Sequence, residues 1–188
     1  MQDQPDLFGT PLTRHPWNKG KIVGAKPRLG PKHVWSIRTK LQIEGRKRDL
    51  ALFNLAIDSK LRGCDLVSGH PVKFELSEHT RHAIDDYLQA CAKQSVDYLF
   101  TGRRGTGMCL TTRQFARLVS GGLSSIGVDA LQFGTHSLRR AKATLKYKRT
   151  GNLRAVQLLL GHTKIESTVR YLGIEVDDAL AIAEQVDV

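Results

Sequence analysis

Between Thr135 and Gly173 the chain is punctuated so closely that it can form neither one long helix nor a sheet. Thr135 can cap a helix that runs to about Arg149, and Thr150-Gly151-Asn152 then makes a turn. Leu153 to Leu160 reads as a short buried helix stopped by Gly161. Thr163 with Glu166 has the spacing of a capping box and would open a third helix, ended by Gly173. These helices carry Thr135-His136-Ser137-Leu138-Arg139-Arg140, then Leu159-Leu160-Gly161-His162, then Arg170-Tyr171. Residues three apart on a helix are neighbours, so His136 and Arg139 share a face. Two imidazoles, a guanidinium and a phenol suit attack on a phosphodiester better than binding of a small apolar ligand.

The charge agrees with a polyanionic partner. The 188 residues carry a net charge of +11, which makes nucleic acid the first candidate and an anionic membrane surface or a ribosome the second. The length allows one domain with a sizeable core and an appended tail. Three cysteines (Cys64, Cys91, Cys109) form no CxxC, which argues against a disulfide framework or a zinc knuckle and for reduced thiols in a cytoplasmic protein. No apolar run approaches the roughly 20 residues needed to span a bilayer, so no membrane partner is expected.

Five of the six prolines fall in the first 40 residues, beside Lys19, Lys21, Lys26, Arg28, Lys32 and both tryptophans. Residues 1–40 are therefore read as a proline-rich basic arm without a long helix, either a disordered leader or an arm along a phosphate backbone. The remainder, 41–188, is read as one mainly α domain. Leu50, Phe53 and Ile57 recur at helical spacing, with Leu61 extending the stripe. A second helix covers 78–93, capped by Ser77, and Val96 to Phe100 reads as a short strand. Gly102-Arg103-Arg104-Gly105-Thr106-Gly107 looks like a phosphate cradle but lacks the Lys-Ser/Thr ending of a nucleotide loop. Thr111 with Gln114 forms another capping box, opening a helix that Gly121-Gly122 should end. A last amphipathic segment runs from Val176 to Glu184.

From about Lys47 to Ile182 the chain resembles the catalytic domain of the tyrosine recombinases, the phage-integrase family. His136, Arg139, His162 and Tyr171 match the family's HxxR, its LGH-type turn and its nucleophilic tyrosine in order and spacing. Arg62, in Leu61-Arg62-Gly63-Cys64-Asp65-Leu66, matches its first arginine. The resemblance implies that fold with a reduced β-sheet, and an enzyme that is a tyrosine-type DNA strand transferase needing no cofactor, no metal and no small-molecule substrate. It implies that Arg62 and Arg139 clamp the scissile phosphate and that His136 assists proton transfer at the tyrosine. His162 would donate to the phosphate, and Tyr171 would become joined to the DNA 3′-phosphate. Arg140 is the runner-up to Arg139. Arg140, Lys142, Lys146, Arg103 and Arg104 are expected to meet double-stranded DNA, with further copies of the chain forming a tetramer on it.

Two departures stand out. The 40 proline-rich residues cannot supply the helical DNA clamp that the family usually carries ahead of this domain. The family also has a small antiparallel sheet whose hairpin holds a lysine. Here only Ser68-Gly69-His70-Pro71 separates Val67 from Val72, leaving room for a single strand, Val72 to Glu75, with Lys73 inside it. The segment looks deleted, which predicts impaired strand cleavage. Taken singly, each site residue has an ordinary explanation: Arg62 and Arg139 as surface charges, His162 as a helix-start residue, His136 as a satisfied buried histidine, Tyr171 as a core-edge aromatic. A non-catalytic DNA-binding module derived from a recombinase, or a basic RNA-associated structural protein, are the competing readings.

Overall fold

The computed structural model describes residues 26–61, 74–93, 97–102 and 108–174. Arg62, Arg103, Arg104, Lys73 and the segment from Val176 to Glu184 lie outside them, as does most of the basic arm. The described residues form seven helices: α1 (Pro31–Ile43), α2 (Lys47–Ser59), α3 (Glu78–Cys91), α4 (Thr112–Ser125), α5 (Thr135–Thr150), α6 (Leu153–Leu160) and α7 (Ile165–Leu172).

Helix α2 is the centre of the main core, packed against α1, α3 and α5. Every residue from Ala51 to Lys60 is buried, so the apolar stripe read from the sequence is only one side of a helix enclosed on several. Enclosure forces its polar side chains to find partners. Arg38 Nε donates to Asn54 Oδ1 at 2.7 Å, and Asp49 accepts from Arg46 at 2.6 Å and from Arg48 at 2.9 Å. A second, smaller core of Ala143, Val156, Leu160 and Leu172 joins α5, α6 and α7, with Tyr147, Leu153 and Tyr171 at its edge.

Several expectations need correction. Helix α1 begins at Pro31, inside the supposed arm, and crosses the 40/41 boundary. Proline blocks a helix interior, but at the first position its missing N–H has no helical partner to lose and its fixed φ favours the turn. Leu29, Val34, Ile37 and Leu41 then bury in the main core. The Gly121-Gly122 pair does not stop α4, which continues to Ser125. A Cβ on Gly122 would lie 3.2 Å from Ile37 Cγ2, so this glycine admits α1 to close approach instead. The strands expected at 72–75 and 96–100 do not form over their described residues, and the only β pairing among the described residues is a bridge between Thr101 and Cys109.

Capping follows the sequence in part. Thr111 and Gln114 make the reciprocal box that their spacing predicts. Ser77 stands at the N-cap of α3, but its hydroxyl donates to Asp58 Oδ2 at 2.6 Å rather than accepting from the helix. Gly134, not Thr135, takes the N-cap position of α5, and Gly134 N donates to Ser137 Oγ at 3.1 Å. Helix α7 starts at Ile165 behind an uncapped Lys164, because Gln157 Nε2 on α6 donates to the carbonyls of His162 (3.0 Å) and Thr163 (3.2 Å) and holds that turn extended.

Candidate active site

The turn after α6 is what brings the site together. Gly161 adopts φ 66° at the end of α6, a conformation that favours glycine, and His162 N donates back to Gln157 O at 3.1 Å. The turn lets α6 and α7 pack against each other and both against α5.

Tyr171, half-buried on α7, is the meeting point. The Arg139 Cζ and Arg140 Cζ atoms each lie 5.6 Å from its ring centroid, within the range where a guanidinium is attracted to an aromatic face. His162 meets the ring edge-on, with centroids 5.4 Å apart and planes at 83°. The His162 ring is oriented from behind by Thr168, whose Oγ1 lies 3.0 Å from Nδ1. The Tyr171 hydroxyl donates to the His136 carbonyl over a long 3.4 Å, while the His136 side chain is exposed.

Arg139 is buried, with 7% of its surface exposed, although it is a cation. One Nη donates to the Leu160 carbonyl at 2.5 Å. That carbonyl closes the last turn of α6, where helical carbonyls lack partners and the helix dipole is negative. The arginine thus joins α5 to the end of α6 while its fork lies over the tyrosine.

Arg139, His162 and Tyr171 are accordingly gathered in one place within a single chain, and His136 is tied to them through its backbone carbonyl. Arg140 joins them over the Tyr171 ring, its Nη1 donating to the Lys26 carbonyl at 2.6 Å, and a Cβ on Gly173 would lie 3.3 Å from its Nη2. Lys142, expected to face DNA, instead reaches the interior: its Nζ lies 2.5 Å from Asp58 Oδ1. The reason is helical phase, since α5 packs its Lys142 side against α2.

Two ionisable residues here, Asp58 within this pair and Lys60 beside it, were not singled out from the sequence. Burial alone would raise the Asp58 carboxyl, but hydrogen bonds from Lys142, from Ser77 and from Thr80 outweigh it and hold the group at about 2. Lys60 ends α2 with φ 55° and only 4% exposure. Burial, then the charges of Lys146 and Lys142, push its ammonium down to about 8, against the attraction of Asp58 and Glu75. The one trace of this network in the sequence is an aspartate and a lysine at the end of the largely apolar run from Ala51 to Ile57.

The profile of the Phage integrase family matches residues 66–176. The chain belongs to that family. A tyrosine recombinase XerC from Caldanaerobacter subterraneus is 30% identical over 152 residues, covering 69% of this chain and 42% of the relative. Among solved structures, the XerA recombinase superposes with a TM-score of 0.69 at 18% identity, over 85% of this chain and 63% of that one. A XerH site-specific recombinase bound to a palindromic difH substrate gives 0.66 at 19% identity, over 85% and 54%. The phage-integrase chain thus spans less than two thirds of each of these relatives, and its helical fold is that of a tyrosine recombinase catalytic domain. No helix among the described residues is long and apolar enough to cross a membrane.

Proposed function

We propose that this domain is a tyrosine-type strand transferase acting on duplex DNA in site-specific recombination or integration, in a mobile element and in the cytoplasm. The observation that carries the reading is the Tyr171 ring packed between Arg139, Arg140 and His162 in one chain.

The chemistry follows from these groups. Attack by the Tyr171 oxygen forms a bond to phosphorus and breaks the bond to the 5′-oxygen; the phenolic proton leaves with help from His136, and the 5′-oxygen takes up a proton. A phenol is a poor nucleophile until it loses that proton. The transition state concentrates negative charge on the non-bridging oxygens, which the planar forks of Arg139 and Arg62 match. His162, steadied by Thr168, donates to one of those oxygens. The 3′-phosphotyrosyl bond conserves the energy of the broken one, so the exchange needs no cofactor. The net charge of +11 suits a DNA partner, and Lys146, Arg103 and Arg104 are proposed backbone contacts in a tetramer on two duplexes.

The shortness of the four-residue link Ser68-Gly69-His70-Pro71 in the sequence, beside the family's longer segment with its lysine, favours slow cleavage. Loss of a general acid lowers a rate by about 10²–10⁴-fold. A nicked suicide duplex tests both statements. The reading expects a covalent adduct that accumulates slowly and is lost in Tyr171→Phe. Salt-sensitive DNA binding with no adduct would favour the non-catalytic module instead.

A further inference from the structure

Residues 26–29 cross the molecule to grip the start of α5, more than a hundred positions away in the sequence. Lys26 Nζ donates to the carbonyls of Leu131 at 3.0 Å and Phe133 at 2.8 Å, in the loop that leads into the HxxR helix. The Lys26 carbonyl in turn accepts from Arg140 Nη1 at 2.6 Å. Three residues on, Leu29 N donates to Ser137 O at 3.4 Å, and the Leu29 side chain is buried with 1% exposure. The strap therefore holds the helix start through its approaching loop, its first turn and one of the two guanidiniums on Tyr171.

We propose that Lys26 is a positioning residue for Tyr171, fixing Arg140 over the phenol by clamping the backbone of residues 26–29 to the loop before α5. The proposal rests on the reading of Tyr171 as the nucleophile. A long arginine side chain has many rotamers, and an anchored carbonyl selects one of them. The Lys26 ammonium supplies that anchor, since charge-assisted bonds to two carbonyls fix where the Lys26 carbonyl points. Without it Arg140 loses its fixed acceptor, and the ring loses one of the walls that set its angle to Arg139 and His162. Displacements of about 1 Å at a reacting group can change rates by about a hundredfold.

The test uses the full chain with its tyrosines ¹³C-labelled, the Tyr171 ring signal being assigned by its loss in Tyr171→Phe. In Lys26→Met the proposal expects a shifted Tyr171 ring signal, DNA affinity within about threefold of wild type, and single-turnover cleavage about 10- to 100-fold slower. Lys26→Arg, which can still reach two carbonyls, should restore both the ring signal and the rate. A Tyr171 signal unchanged in Lys26→Met overturns the proposal, as does a shifted signal with an unchanged cleavage rate. A loss confined to DNA affinity overturns it too, by making Lys26 a phosphate contact. If the wild-type chain forms no adduct, the nucleophile reading fails separately, and the ring signal alone decides whether the strap holds Tyr171.

Discussion

Arg139 and Tyr171 stand on different helices, yet the guanidinium carbon lies 5.6 Å from the ring centre while the same side chain donates to the Leu160 carbonyl. One residue thus ties α5 to the end of α6 and lies over the proposed nucleophile. The two roles separate by substitution. Arg139→Lys keeps a charge but loses the planar fork, so single-turnover cleavage should fall by about 10²–10³-fold while DNA affinity changes little. Arg139→Ala should in addition lower stability by about 1–3 kcal/mol, because it leaves the Leu160 carbonyl without this donor. Gel-shift titration, cleavage kinetics and urea melts resolve the three effects.

Asp58 links α2 to both α3 and α5, through Ser77 at 2.6 Å and Lys142 at 2.5 Å. Its folded carboxyl sits at about 2, below its ordinary 3.8. A depressed carboxyl contributes stability that is present above the unfolded value and is lost as pH falls from there toward the folded one. Unfolding free energy should therefore drop between about pH 4 and pH 2, and Asp58→Ala should flatten that part of the profile. At neutral pH the same variant should be less stable by about 1–3 kcal/mol, since the Ser77 N–H and hydroxyl and the Lys142 ammonium lose their acceptor.

Lys60 behaves in the opposite sense. Its folded ammonium titrates at about 8, below the ordinary 10.5, so the unfolded chain holds the proton more tightly. Stability should rise as pH increases from about 8 toward 10, and Lys60→Met should abolish that rise. At pH 7 the methionine variant should be more stable by about 1–2 kcal/mol, by removing a cation from beside Lys142 and Lys146. Urea denaturation at pH 7 and 9.5 checks both the sign and the size.

The neighbouring glycines of α4 should respond differently to added side chains. Nothing lies within 4 Å of a Cβ on Gly121, whereas one on Gly122 meets Ile37 at 3.2 Å. Gly121→Ala should stabilise by about 0.5–1 kcal/mol through helix propensity. Gly122→Val should destabilise by about 1–3 kcal/mol through overpacking against α1. Thermal melts of the two variants decide whether the pair is a helix stop or a contact.

The sequence was legible where structure is set locally. Gly161, Gly173, Asn152 and the Thr111–Gln114 box act over a few residues, and the i,i+3 step from His136 to Arg139 needs only helical geometry. Arg139, His162 and Tyr171 lie together, His136 meets them through its backbone carbonyl, and Arg62 lies outside the described residues. What was not legible depends on contacts between distant segments. Pro31 looks like a helix breaker until its place at the first position is known, and Gly122 looks like a stop until Ile37 packs on it. Lys142 has the sequence character of a solvated cation, and only the phase of α5 against α2 sends it to Asp58. The Lys26 strap leaves no periodic trace at all, because one lysine among many basic neighbours carries no spacing signal.

The most direct test is to locate the DNA on the protein. After trapping on a nicked duplex and exhaustive nuclease digestion, peptide mass spectrometry should find a residual nucleotide on the peptide containing Tyr171, at low yield and slow onset. The peptides containing Tyr87, Tyr98 and Tyr147 should carry none. A nucleotide on any of those three, or no modified peptide after prolonged incubation with DNA that is demonstrably bound, would contradict the account.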